Sequence, residues 1–147
     1  MLVEEFKILL TGSPDGVFVR PDGSHLIADY KSARFTDVQD ELFPMYEVQL
    51  NAYALIGEAC GFSPVSSLAL IYMEPMTNGD PQFHGQCRKF GFEMGFTAKT
   101  LRVEIRPQLL SPLFARTREL VKAPTPPKAR PGCKDCELIQ GLLRQAV

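Results

Sequence analysis

The chain has 147 residues, 45% of them apolar and 22% charged, which suits a single globular domain around one core. No apolar run approaches the ~20 residues needed to cross a bilayer. The acidic start Met1-Leu2-Val3-Glu4-Glu5 lacks the basic region of a signal peptide, so neither a membrane span nor a secretory leader is expected, and the cytoplasm is the default compartment.

The net charge of -1 does not advertise nucleic-acid binding, but it is unevenly spread. Residues 1–60 hold ten acids and four bases, and residues 61–147 hold seven acids and twelve bases. An acidic half beside a basic half fits a metal site next to a phosphate-binding surface. Uneven scatter explains it equally well.

In chain order, residues 6–10 form a short apolar run and read as a strand. Gly16 to Arg20 and Ser24 to Lys31 alternate in polarity and flank Pro21-Asp22-Gly23. Pro, Asp and Gly in that order suit a three-residue hairpin loop closed by a left-handed glycine. Residues 32–43 read as a loop. Pro44 suits a helix start, 45–59 the helix and Gly61 its C-terminal stop. Residues 67–73 (SLALIYM) read as a buried strand, and 75–81 as turns. Residues 82–96 predict one strand or more. Residues 97–105 fit helix or strand, and 107–121 a helix. Four prolines in 123–132 mark an extended connection, before Cys133-Lys134-Asp135-Cys136 and a short terminal helix. The order predicts an α/β or α+β fold, a sheet flanked by helices.

The hairpin carries the chemistry. A loop of 21–23 pairs Arg20 with Ser24, which sets Asp15 opposite Asp29, with Cβ atoms about 5 Å apart. Lys31, two residues on, shares that face with Val17 and Ile27; Phe18, Leu26, Ala28 and Tyr30 fill the other. Two facing carboxylates repel unless a cation lies between them, and hard oxygen ligands favour Mg²⁺, Mn²⁺ or Ca²⁺. Such a cation lowers the pKa of a water, and Lys31 would orient that water or neutralise charge on a phosphate. A loop one residue shorter or longer would send Asp15 to the opposite face. The plainer alternative is a turn and a surface Asp–Lys pair.

Residues 12–18 (GSPDGVF), 26–33 (LIADYKSA) and Gln49-x-x-x-Tyr53 together resemble the PD-(D/E)XK nuclease superfamily, most closely its RecB-like and CRISPR-associated exonuclease branch. The resemblance covers residues 12–53 closely and extends to SLALIYM. It implies a restriction-endonuclease-like mixed sheet flanked by helices and Mg²⁺- or Mn²⁺-dependent hydrolysis of DNA. Residues 1–122 would form the nuclease core, with 123–147 as a proline-rich connection and Cys-x-x-Cys helix packed on the same domain. The resemblance makes Asp15 and Asp29 metal ligands, the Tyr30 carbonyl a further ligand, and Lys31 the catalytic lysine. Gln49 and Tyr53, on one helical face, would border the DNA. Expected partners are DNA and a helicase or other nuclease-complex subunit, in repair, recombination, phage replication or CRISPR adaptation.

Two departures stand out. Family members usually open with helices that bring an acid or His to the metal, whereas only fourteen residues precede Asp15. Glu4 or Glu5 are the stand-ins, although both are expected on a strand. Many members of this branch also hold an iron–sulfur cluster on four cysteines, one upstream and three near the C-terminus. Cys133 and Cys136 match two of them, so the set is incomplete and no such cluster is expected. The pair reads as a cluster or zinc remnant, or as a plain turn. Cys60, Cys87, His25 and His84 are the other soft ligands, and Cys60 is expected to pack at the helix cap. A thioredoxin-like role is not expected, because the pair follows a proline-rich linker rather than a strand. Arg116, Arg118, Lys122, Lys128, Arg130 and Lys134 are either a DNA path or a solvated face. Besides an active deoxyribonuclease, the sequence admits a non-catalytic or partner-completed DNA-binding module of the same fold and, more weakly, a structural zinc protein.

Overall fold

The computed structural model describes residues 1–35, 41–76, 87–92 and 94–145. The chain opens with two short paired strands, β1 (Leu2–Val3) and β2 (Ile8–Leu9). Between them Glu4–Phe6 make a 3₁₀ turn, and Lys7 turns the chain back at φ 50°. The strand expected over 6–10 is thus cut to its second half. Glu4 and Glu5 lie exposed in the turn, not on a strand.

The hairpin follows as read. β3 (Gly16–Val19) pairs antiparallel with β4 (His25–Lys31), Gly16 opposite Ala28 and Val19 opposite His25. Gly23 takes φ +79°, the left-handed conformation that closes a three-residue loop, and donates its N–H to Arg20 O. Asp22 Oδ1 locks the loop by accepting the Ser24 N–H and hydroxyl.

Helix α1 (Phe43–Ala59) starts with Pro44 in its first turn. It ends at Cys60 with Gly61 at φ +94°. Phe62 N–H reaches Gly57 O and Gly61 N–H reaches Glu58 O, the paired bonds of a Schellman stop. Cys60 sits at this cap but is exposed. The helix carries the chain across to β5 (Val65–Pro75), which pairs in parallel with β4, a pairing that requires such a crossover. Beyond the turn region come β6 (Cys87–Arg88), β7 (Gly91–Phe92) and β8 (Phe96–Val103). β8 pairs antiparallel with β5, which resolves residues 97–105 in favour of strand. His84 and most of the expected turn at 75–81 lie outside the described residues.

The result is a mixed four-stranded sheet in the order β3-β4-β5-β8. After a 3₁₀ turn at Pro107–Leu109 come α2 (Leu110–Lys122), the proline-rich connection and α3 (Lys134–Gln145). Register places Ile27, Leu68, Leu70, Tyr72 and Val103 on one sheet face, where they bury against Leu50 and Ala54 of α1. Full burial of one such aliphatic side chain is worth about 2 kcal/mol. Positions 43, 46, 50, 54 and 57 repeat every three or four residues, so one stripe of α1 covers the sheet. Phe18 and Tyr30 do lie on the opposite face, but stay 47% and 42% exposed, while Ala28 is buried. Leu138, Ile139 and Leu142 of α3 are also exposed. Among the described residues, no helix is long and apolar enough to cross a membrane.

Candidate active site

The site lies where β4 leaves the core. Alternation along β4 sends Ile27 into the apolar cluster and Asp29 and Lys31 to the same face further on. Their neighbours on β5 are Leu70 and Tyr72, both almost wholly buried, so the carboxylate has an apolar wall. Asp29 is only 4% exposed. Its Oδ2 is 2.5 Å from Lys31 Nζ, yet this oxygen is buried and receives no hydrogen bond. The contact is a Coulombic pair whose angles fall outside hydrogen bonding. Asp29 Oδ2 is thus ion-paired with Lys31 and has no hydrogen-bond donor among the described residues.

Lys31 is held from α1. It donates to Gln49 Oε1 at 3.1 Å, and its ammonium lies 4.1 Å from the centre of the Tyr46 ring. Gln49 in turn donates from Nε2 to the Tyr53 hydroxyl at 2.9 Å. Gln49 and Tyr53 are therefore both half-buried members of one chain of contacts that ends on the lysine. The Tyr53 ring presses against Gly12, where an added Cβ would come within 2.6 Å of Cε1. This close approach ties the segment before β3 to α1.

Asp15 is exposed, one residue before β3. One step beyond the Gly16–Ala28 pair, the register carries it to the level of Asp29. Its Oδ2 accepts the Tyr30 N–H at 2.8 Å, which fixes the carboxylate against the end of β4. The structure thus gathers Asp15, Asp29, Tyr30, Lys31, Gln49 and Tyr53 at one end of the sheet, where β4 finishes.

Tyr46 escaped the sequence reading. Its signal was present, since it stands three residues before Gln49 and seven before Tyr53 on one helical face. Asn51 was also missed. It is fully buried, donating to the Glu47 and Glu104 carbonyls and accepting the Arg106 N–H. It binds α1 to the segment after β8, an attachment reinforced by the Arg106–Glu47 ion pair. No sequence spacing announces it.

Among the described residues, no three His, Cys, Asp or Glu side chains converge on a metal position. The carboxylates placed at the end of β4 are Asp15 and Asp29. The unbonded, buried Asp29 Oδ2 and the hard oxygen donors fit a small divalent cation. Cys133 and Cys136 meet each other at the head of α3, and His25 packs edge-on against Phe62. Arg116 is paired with Glu119 on α2.

No curated protein and no solved structure matches the chain. The sequence model of the PD-(D/E)XK nuclease superfamily does, over residues 1–140. That span contains the mixed sheet, helices α1 and α2 and every residue of the site at the end of β4. Members of this superfamily are generally nucleases, phosphodiester hydrolases that typically use divalent metals such as Mg²⁺. The chain belongs to the PD-(D/E)XK nuclease superfamily.

Proposed function

We propose that the chain is a Mg²⁺- or Mn²⁺-dependent deoxyribonuclease, an exonuclease of the RecB-like type with its core in residues 1–122. The observation that carries this reading is the Asp29–Lys31 pair. A buried carboxylate oxygen without a hydrogen bond costs stability, and here it faces an ammonium clamped by two residues of a neighbouring helix. Such an arrangement has a chemical use beyond its part in stability.

Asp15, Asp29 and the Tyr30 carbonyl would hold the cation. A strand residue sends its N–H and C=O to the same side, so the Tyr30 carbonyl leaves β4 toward the side where Asp15 takes its N–H. When bound, the cation supplies a water of lowered pKa and charge neutralisation on the phosphodiester. Lys31 stabilises charge on the phosphate oxygen or orients the attacking water. Gln49 and Tyr46 keep the ammonium aimed when Asp29 is engaged elsewhere. Gln49 and Tyr53 border the DNA. The Gln-x-x-x-Tyr spacing beside the lysine supports the RecB-like assignment.

A second reading rests on one observation: two carboxylates are few for a metal-dependent hydrolase. In that reading the same fold binds DNA and a partner completes its site, for example a helicase or other subunit of a nuclease complex. Linear single- and double-stranded DNA incubated with the protein and Mg²⁺ or Mn²⁺ separates the two. Cleavage that stops with EDTA and in Lys31→Ala supports the nuclease. Intact DNA in every lane, from protein with a cooperative melting transition, supports the partner-completed module.

A further inference from the structure

Cys133 and Cys136 lie outside the site at the end of β4, and the nuclease reading gives them no part. Gly132 at φ +73° turns the end of the proline-rich connection into α3. Cys133 stands at the head of that helix, its carbonyl accepting the Glu137 N–H at 3.1 Å. Its Sγ accepts the Cys136 N–H at 3.3 Å, as an N-cap side chain does. The two sulfurs are 2.7 Å apart. Both residues are partly exposed, so a small reagent reaches them.

We propose that Cys133 and Cys136 form a reversible intramolecular disulfide, with Cys133 as attacking thiolate, Cys136 as resolving thiol and a small-molecule disulfide as oxidant. Helical positions three apart have Cα atoms about 5 Å apart, inside the range a disulfide spans. The electrostatics divide the roles. The Cys136 hydrogen bonds, followed by the Asp135 N–H and the Arg130 charge, pull the Cys133 thiol below its ordinary range. The Cys133 contact, burial and Asp135 push Cys136 up. A metal fits less well. Two sulfurs on one tetrahedral zinc lie about 3.8 Å apart, and no third ligand converges among the described residues.

In the first step, the Cys133 thiolate attacks one sulfur of the oxidant, forming a mixed disulfide and releasing one thiolate. In the second, Cys136 loses its proton to solvent and attacks Cys133 Sγ, expelling the other thiolate. The oxidant takes up two electrons, and the two thiolates are protonated by solvent. This modifies the chain itself and closes the first turn of α3. It is not exchange catalysis on other proteins, and it is independent of the nuclease reading.

The test uses the reduced full chain treated with oxidised glutathione, quenched in acid, alkylated and mapped by peptide mass. The expected product is a tail peptide two hydrogens lighter that resists alkylation and is restored by dithiothreitol. Cys60, exposed and without a neighbouring thiol among the described residues, serves as the internal reference for capture by glutathione. Cys136→Ser should stop at a glutathione adduct on Cys133, and Cys133→Ser should slow the first capture about tenfold or more. The proposal is overturned if both tail thiols stay alkylatable after Cys60 has reacted. It is equally overturned if Cys136 is captured in Cys133→Ser as fast as Cys133 is in Cys136→Ser. Zinc released by chelator, together with protection of both thiols, would also overturn it in favour of a metal site.

Discussion

The two ends of β4 carry polar groups of similar density and opposite character. At the start, Arg20 donates to Ser67, Ser24 shares a hydrogen bond with Ser66, and Asp22 accepts from Ser24. These bonds satisfy one another and fasten the turn to β5, so that at this end only His25 Nδ1 is buried without a hydrogen bond among the described residues. At the far end, Asp29 is buried, close to an ammonium and short of a hydrogen bond. Satisfied polar groups hold a fold together, whereas a partly satisfied buried carboxylate is kept at a cost and points to chemistry. Asn51 sharpens the contrast. It is as buried as Asp29, yet its amide is bonded three times.

The largest expected effect breaks the far end. Lys31→Ala should lower metal-dependent DNA cleavage by about 10²–10⁴-fold. It also strands Asp29, at a cost of about 3 kcal/mol without metal. A cation would take over the role of the missing ammonium. Mg²⁺ should therefore raise the melting temperature of the variant more than that of the wild type. Equal shifts in a thermal melt would mean that Asp29 is not where the cation binds.

Asn51→Ala should show the opposite signature. It leaves the Glu104 carbonyl and the Arg106 N–H without their partner, a loss of about 2–4 kcal/mol. Urea unfolding measures it. Cleavage per folded molecule, assayed well below the transition, should stay within about threefold of wild type. A large loss of rate in fully folded Asn51→Ala would erase the distinction between the two buried polar residues.

Two glycines make the comparison finer. Gly12→Ala drives a methyl into the Tyr53 ring, and the Gln49–Tyr53–Lys31 chain shifts with it. Sub-ångström displacement of a catalytic group should reduce cleavage about tenfold. Gly23→Ala meets no neighbour but keeps a left-handed backbone, so it costs about 1 kcal/mol and leaves the rate alone. Steady-state rates and melts of the two variants should therefore move in opposite columns.

The legible parts of this molecule are those fixed by short-range rules. Pro21-Asp22-Gly23 dictated the hairpin register, and period-two alternation then put Asp29 and Lys31 on one face. The apolar run at 67–73 had no place but a buried strand. Where local rules are silent, sequence and structure part. Lys7 adopts a left-handed φ that no glycine or asparagine announces, so the expected opening strand runs through what is a turn. β8 is mostly exposed and alternates weakly, so helix and strand fit its sequence equally well, and only its partner β5 decides between them. Asn51 is polar at a position where helical periodicity expects an apolar residue, and only its distant partners explain it.

The smallest effect lies at the quiet end of β4. Hydrogen bonds from the Ser24 hydroxyl and N–H, with Arg20 nearby, hold the Asp22 carboxyl below its ordinary value of 3.8. A depressed folded pKa means that the ionised form is favoured by folding. Its contribution is complete above the unfolded value and is lost as pH falls through the folded one. The turn should therefore loosen only below about pH 4, and Asp22→Asn should remove that slice of the acid dependence while lowering neutral stability slightly. Urea midpoints between neutral pH and acid, for wild type and variant, read this directly. The two curves should converge toward the acid end, because a protonated Asp22 carboxyl and the neutral amide that replaces it make the same weak bonds to Ser24. Curves that stay parallel throughout would show that Asp22 serves as a neutral acceptor, and that charge plays no part in holding this end of the strand.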